Sequence, residues 1–372
     1  MTKKILAVAH QIGGANTLSP VIRKLENIEN LNVSVIGYDF SAEGFSDYKI
    51  KYNLPESYDF YNKKVPLESA KKILEFEQPD LLLCGSSDGF NLEKAMVVQC
   101  NRKAIPSIGV LDNWTNLELR FSENKDSTDF VYLPDKLAIM DKHTENELIK
   151  LGIAGGKLII TGQPYLDDIK HYGDNVNSKS VKKNLGINEN DFVITFVSEP
   201  HSKDYGIDSS SPLFKGFTEF DVLRCIIATI NDVASNIDKN IHLIIKLHPR
   251  EDADELQPLL SNITFDHKLI KKYNQRKLIM VSDVIVGIES MMMIESALLN
   301  KPTFSLQPGL IGEDKLFCNK MGITIPAYSC NDFLNKFNNI ISNGFSNNSA
   351  LNNLNLDGLA SDRVISKIKE LL

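Results

Sequence analysis

Three apolar runs in the second half of the chain stop on residues that seldom share a buried strand end. Ile241–Ile245 runs into Lys246, and Leu247 is followed by His248, Pro249 and Arg250. Phe192–Val197 runs into Ser198 and Glu199. Val284–Gly287 runs into Ile288, Glu289 and Ser290, which open a helical pattern carrying Glu295 five residues past Ser290. Imidazole, ammonium and guanidinium groups can hold a phosphate. The free N–H groups and positive dipole end of a helix favour an anion beside Ser290. A carboxylate one and a half turns into that helix can accept both hydroxyls of a ribose. Ser198, Glu199, Lys246, His248, Arg250, Ser290 and Glu295 are therefore the expected nucleotide- and phosphate-binding set. Each has a plainer reading when taken alone: Ser290 as a cap, Glu295 as a solvated helix residue, His248 as a turn residue. Met291, Met292 and Met293 read as packing. The joint pattern of strand–His-Pro–Arg, then strand–Ser–helix–Glu, favours a pocket.

The first half offers the groups for proton transfer. The stretch HQIGGANTLSPVI places His10, Gly13 and Gly14 after an apolar run, where glycines permit a tight turn and close backbone approach. It is neither GxGxxG nor a P-loop. A second run ends on Ser86-Ser87-Asp88-Gly89, and a third on Asp112-Asn113-Trp114. Carboxylates and imidazoles at strand ends can act as general acids or bases. Asp112, Asp88 and His10 are the candidate catalytic residues. Gly13, Gly14, Asn113 and Trp114 are the expected acceptor- or sugar-binding residues. Trp114, the one tryptophan, suits stacking on a sugar and equally suits a domain-interface anchor.

These groups need a scaffold that aligns strand ends. Short, continuously apolar strands alternate with helical patterns along the chain, which predicts an α/β protein with parallel sheets covered on both faces. The polar segment around residues 165–190 interrupts the alternation, which then starts again. The expected division is residues 1–175 as an acceptor-side domain, 176–190 as a linker and 191–372 as a nucleotide-binding domain. Two doubly wound domains with strand ends toward a central cleft would bind ligands there. The Asn- and Ser-rich tail near residues 341–356 reads as loop, with a terminal helix after it.

The composition narrows the class. The chain has 372 residues, 42% hydrophobic and 24% charged, ordinary for globular domains. A net charge of −7 argues against nucleic acid as the main partner. The five cysteines show no CxxC pair and read as reduced core residues of a cytoplasmic protein. No window reaches the roughly 18 apolar residues of a membrane span. No transmembrane segment is expected, with peripheral membrane association left open. Neither a metal nor a cofactor is expected.

The His-Pro stretch KLHPRE resembles the motif of bacterial sialyltransferases, capsule transferases and polyol-phosphate transferases. GIESMMMIESALLNKPTFSL resembles the Ser/Thr-plus-Glu helix of the same superfamily, shared with UDP-sugar 2-epimerases. The resemblance to GT-B glycosyltransferases implies two Rossmann-like domains. It also implies phosphate contacts at His248 and Ser290, a ribose contact at Glu295, and a general base to take the acceptor hydroxyl's proton, for which Asp112 is favoured over Asp88, with His10 next. It implies a cytoplasmic transferase moving a sugar from a UDP- or CMP-linked donor to a surface-glycan or glycoconjugate acceptor, with inversion and without metal. A nucleotide-sugar 2-epimerase or hydrolase, a polyol-phosphate transferase, and a non-catalytic sugar-nucleotide binder are the rival readings.

Overall fold

The computed structural model describes residues 2–124, 127, 129–170, 176–346, 351, 354 and 356–372. The chain forms two compact units, Met1–Asp168 with Leu354–Leu372, and Ile169–Asn353.

The first unit is built on β1 (Lys3–Ala9), β2 (Leu31–Gly37), β3 (Leu81–Cys84), β4 (Ser107–Val110), β5 (Lys136–Ile139) and β6 (Leu158–Ile160). They form one parallel sheet in the order β2-β1-β3-β4-β5-β6. Its helices are α1 (Ile12–Leu25), α2 (Ser41–Asp47), α3 (Pro66–Glu77), α4 (Leu92–Lys103), α5 (Leu117–Phe121), α6 (Lys142–Lys150) and α7 (Pro164–Lys170). Alternate residues of β1 show why both faces need cover. Ile5, Ala7 and Ala9 pack with Leu18, Val21 and Ile22 of α1. Leu6 and Val8 pack on the other side with Ala70, Ile73 and Met96 of α3 and α4. A period-2 side-chain alternation that is apolar on both faces is the mark of a covered parallel strand.

The second unit repeats the plan. Its helices are α8 (Ser178–Leu185), α9 (His201–Tyr205), α10 (Glu219–Val233), α11 (Ala253–Leu260), α12 (Gln275–Val281), α13 (Met292–Leu298), α14 (Phe317–Lys320) and α15 (Cys330–Asn343). Its strands are β7 (Phe192–Val197), β8 (Ile241–Lys246), β9 (Asp266–Ile270), β10 (Val284–Gly287), β11 (Thr303–Leu306) and β12 (Ile325–Ala327). They are again all parallel, in the order β12-β11-β10-β7-β8-β9.

The boundaries differ from the expected ones at two places. The final helix, α16 (Ala360–Leu371), belongs to the first unit and not to the second. Val364, Ile365 and Ile368 are buried in the core around α1, and Asp167 accepts a hydrogen bond from the Ala360 N–H at 2.9 Å. An amphipathic helix must bury its apolar stripe somewhere, and the sequence does not reveal which core receives it. Within the expected linker, α8 packs Val181 and Leu185 into the second unit's core. The expected boundary at 175 falls among residues 171–175, outside the described residues, as does part of the Asn- and Ser-rich tail.

The cysteine expectation is corrected at one pair. Cys225 of α10 and Cys330 of α15 form a disulfide, with their Cα atoms 5.0 Å apart. A separation of 105 residues hides this pair from any spacing rule. Cys84, Cys100 and Cys318 are free and buried. Among the described residues, no helix is long and apolar enough to cross a membrane.

Candidate functional site

Both sheets reverse direction once. In the first, the chain passes from β1 to β2 on one side and then returns to place β3 on the other. In the second, β8 and β9 lie to one side of β7 and β10 to the other. Ligands of open α/β sheets bind outside the strand ends at such switch points. The loops concerned follow β1 and β3 in the first unit, and β7 and β10 in the second. Most of the expected residues fall on them or on the adjacent loops after β4 and β8.

In the first unit, the centre of this region is a carboxylate that the sequence reading missed. Glu93 is 2% exposed. Its Oε1 accepts from the Ser87 N–H at 2.8 Å and the Ser87 hydroxyl at 2.7 Å, and its Oε2 accepts from the His10 N–H at 3.1 Å. It therefore ties the loop after β1 to the loop after β3. Burial raises its pKa, and the Asp112 charge adds to the rise, while the Ser87 and His10 donors oppose it. Gly85 is required beside it, since a Cβ there would stand 2.7 Å from Glu93 Oε2. The available signal was a Glu two residues past the capping Asn91, at the start of a helix following a polar strand end.

Asp112 is an ion-pair member. Its Oδ1 accepts from Arg120 Nη1 at 2.6 Å and from the Ser86 hydroxyl at 3.0 Å. Arg120 is 7% exposed and also donates to the Ser86 carbonyl and, through Nε, to the Thr115 carbonyl. Gly13 is where the chain passes closest to this carboxylate, since a Cβ on it would fall 2.3 Å from Asp112 Oδ2. The expected tight turn is absent. Gly13 and Gly14 lie in the first turn of α1 and neither has a positive φ. Close approach is what their small size provides.

Asp88 is half-buried and accepts from Gln11 Nε2 at 2.9 Å. The His10 ring lies 4.8 Å from the Tyr38 ring, and its Nδ1 is 3.5 Å from Asp39 Oδ2. That nitrogen is buried and makes no hydrogen bond among the described residues. Burial lowers the His10 pKa, with Asp39 opposing. His10 is thus neutral at neutral pH, with a ring nitrogen able to take a proton. Lys94, also missed, is lowered to about 8 by burial and donates to the Leu119 carbonyl at 2.9 Å. Asn113 caps its own turn by accepting from the Thr115 N–H at 3.3 Å. Trp114 is 9% exposed, and its indole N–H donates to Asp141 Oδ2 at 2.7 Å. The ring is buried, which leaves little of its face open to stack on a sugar.

In the second unit the carboxylates hold backbone. Glu251 Oε2 accepts from the His248 N–H at 2.6 Å, and its Oε1 accepts from the buried Ser198 hydroxyl at 2.6 Å. Glu199 Oε2 accepts from the Glu289 N–H at 2.7 Å, bridging the two switch-point loops. Desolvation pushes Glu199 up to about 7. His248 Nδ1 accepts from the Arg250 N–H at 3.2 Å, which leaves the proton of the neutral ring on Nε2 as a donor. Burial, with the Arg250 charge second, lowers the His248 pKa and keeps it neutral.

The expected cations are less available. Lys246 Nζ donates to the Leu247 and Lys271 carbonyls. Arg250 makes a two-bond pair with Asp204, at 2.6 and 2.7 Å. Ser290 Oγ accepts from the Met292 N–H at 3.3 Å, the local capping contact. Glu295 is 1% exposed, not solvated, and its Oε1 accepts from Gln275 Nε2 at 2.8 Å. Met292 and Met293 are core residues, as expected of packing side chains. Lys215, unnoticed in the sequence, pairs with Glu289 at 2.7 Å and lies 3.8 Å from the centre of the Tyr205 ring.

The comparisons agree with this architecture. The chain is similar over 99% of its length to the whole of the UDP-GlcNAc 2-epimerase of Neisseria meningitidis, bound to UDP-GlcNAc, with a TM-score of 0.71 and 17% identity. It is similar over 99% of both chains to the UDP-GlcNAc 2-epimerase of Methanocaldococcus jannaschii, again at 0.71 and 17%. The glycotransferase of kitacinnamycin matches over the full length of both chains, at 0.58 and 15%. The fold is that of the GT-B class, with two Rossmann-like parallel sheets. No curated protein matches the chain by sequence. Residues 110–342, more than half of the chain, match the model of the CDP-glycerol:poly(glycerophosphate) glycerophosphotransferases. The chain belongs to that family.

Proposed function

We propose that this protein transfers a glycerol-phosphate or closely related polyol-phosphate group from a cytidine-diphosphate-linked donor to a hydroxyl of a growing phosphate-containing acceptor. The observation that carries the proposal is the family match, which runs from β4 through α15 and so covers every expected nucleotide-binding residue. The sequence alone puts sugar transfer first and polyol-phosphate transfer among the rivals; the family match is the reason polyol-phosphate transfer is put first here. Both reactions use a nucleotide donor and an acceptor hydroxyl, so the roles of the site residues carry over.

In this reading the second unit binds the donor. His248 Nε2–H donates to one phosphate oxygen, and the Ser290 hydroxyl donates to another. Glu295 and Gln275 receive the ribose. The first unit handles the acceptor. Its hydroxyl oxygen attacks the phosphorus that carries glycerol, a new O–P bond forms, and the bond to the bridging oxygen breaks. CMP leaves with that electron pair. A base takes the hydroxyl proton, and His10 suits this best. Its half-buried ring turns Nδ1 toward Asp39 at 3.5 Å, which favours the proton there and leaves Nε2 to act as base, whereas Asp112 is paired with Arg120. Asp88, held by Gln11, is the next candidate. The cytoplasmic location expected from the sequence is part of the proposal.

The deciding experiment separates the products. Incubation with CDP-glycerol and a glycerol-phosphate primer releases CMP if the proposal holds. Release of UDP from a UDP-sugar, with CDP-glycerol inert, restores sugar transfer. Conversion of UDP-GlcNAc to its 2-epimer, without transfer, makes the protein an epimerase.

A further inference from the structure

The first unit carries a surface groove of about 580 Å³ at the start of α3, beside α4. Its walls include Val65, Leu67 and Phe90, with Lys64, Lys71 and Arg102 along the rim. The volume lies within the range of small-molecule sites, about 300–1,000 Å³. Val65 and Phe90 are each 47% exposed. The shape is held by internal contacts. Gln99 Nε2 donates to the Leu67 carbonyl at 2.9 Å, and the Phe90 ring lies 5.5 Å from the Tyr132 ring.

The charge is the unusual part. Elsewhere on this unit the exposed lysines are mostly paired: Lys24 with Asp362, Lys103 with Glu75, Lys150 with Glu147. Among the described residues, Lys64, Lys71 and Arg102 make no ion pair. The one carboxylate in the lining, Glu68, faces Lys72 at 3.7 Å. A chain of net charge −7 thus concentrates three unmatched cations around one apolar-floored groove. The groove also adjoins the candidate acceptor region. Phe90 lies two residues beyond Asp88, on the same loop after β3, and Asp88 is bonded to Gln11 of the loop after β1.

We propose that this groove holds the already-built part of the acceptor, a chain with repeating phosphodiesters. The three cations meet successive phosphates, and the apolar floor meets the carbon backbone between them. The identity of the chain rests on the polyol-phosphate reading above. The groove's preference for a multiply charged anion rests on its own charge and shape. A chain seated here is held at several points while its end hydroxyl is at the reaction site, so a longer acceptor binds more tightly than a single unit.

The test measures binding directly, without turnover. A labelled oligomer of about six glycerol-phosphate units and glycerol 3-phosphate are titrated against the full-length protein by fluorescence anisotropy and calorimetry. The oligomer binds at least about tenfold more tightly than the monomer, equivalent to roughly 1.4 kcal/mol, and added salt weakens it. The triple variant Lys64→Gln, Lys71→Gln, Arg102→Gln loses that tenfold, while its affinity for CDP-glycerol stays the same. A control triple with equal charge loss, Lys24→Gln, Lys103→Gln, Lys150→Gln, keeps it. Oligomer binding no tighter than monomer binding overturns the proposal, as does equal loss in both triples. Vesicles of anionic phospholipid that bind with the same dependence on the three cations overturn it too, and assign the groove to a membrane surface. Failure of CDP-glycerol turnover with oligomer binding intact discards the donor and keeps the groove. Turnover without groove-dependent binding does the reverse.

Discussion

The two switch-point regions use carboxylates differently. In the first unit, Asp112 is matched by a buried guanidinium, and Glu93 gathers donors from two loops. In the second, Glu251 and Glu199 each take a backbone N–H and so fix the course of a loop. In both, the acidic groups are largely satisfied by the protein itself, and the groups left with capacity are imidazoles. His10 turns Nδ1 toward Asp39 and has Nε2 left to accept, and His248 keeps its Nε2 proton for an outside acceptor. Under the proposed function, the acids would support a proton acceptor in the first unit and a hydrogen-bond donor to phosphate in the second.

The largest effect expected from this contrast is at His10. His10→Ala should lower kcat by roughly 10²–10⁴-fold, the usual share of general-base catalysis, with donor affinity unchanged. His248→Ala should do the opposite, weakening donor binding by about 1.5–3 kcal/mol, as for a hydrogen bond to a charged group. Steady-state kinetics with donor titrations measures both. If the two variants fail in the same parameter, the division of labour is wrong.

The next effect is on folding. Asp112→Asn leaves Arg120 buried without its partner, which costs roughly 3–5 kcal/mol. Thermal unfolding should show a clear fall in Tm, and the double variant Asp112→Asn, Arg120→Met should recover much of it. A well-folded Asp112→Asn protein that has lost turnover would instead return Asp112 to the role of base.

Much of this arrangement is legible in the sequence, for identifiable reasons. The inner strands β1, β3, β4, β7, β8 and β10 are largely buried and read as mostly apolar runs. The polar residues ending them stand out by contrast, which is why His10, Asp88, Asp112, His248 and Ser290 could be found. The edge strands β9 and β12 escaped notice. β9 alternates exposed and half-buried residues, and β12 has three residues. The supporting groups Glu93, Arg120 and Glu251 were also missed. Their importance comes from partners on other loops, and no spacing rule encodes a contact such as Arg120 with Ser86, 34 residues away. The fate of α16 was hidden likewise, since its apolar stripe fits either core.

The smallest effect concerns pH and separates the second unit from the first. Glu199 has a folded pKa of about 7 against 4.5 for the free group, chiefly through desolvation. Between those values the native state holds a proton that the unfolded chain has released. Stability contributed by that proton is complete below about pH 4.5 and is lost as pH rises through about 7. His201 runs the other way. It is 3% exposed, and burial lowers it from 6.5 to about 4. Its contribution is present above pH 6.5 and is lost as pH falls toward 4. The two slopes oppose each other, so the wild-type Tm should be nearly flat between pH 4.5 and 6.5. Glu199→Gln is neutral at every pH and keeps an oxygen to accept from the Glu289 N–H. Its Tm should climb with pH across that window, and the gain over wild type should grow until about pH 7.5 and then level, by roughly 1–3 kcal/mol in all. Parallel curves for Glu199→Gln and wild type would mean that the bridge between the loops after β7 and β10 is open to water, and that the second unit is no more sensitive to pH than the first.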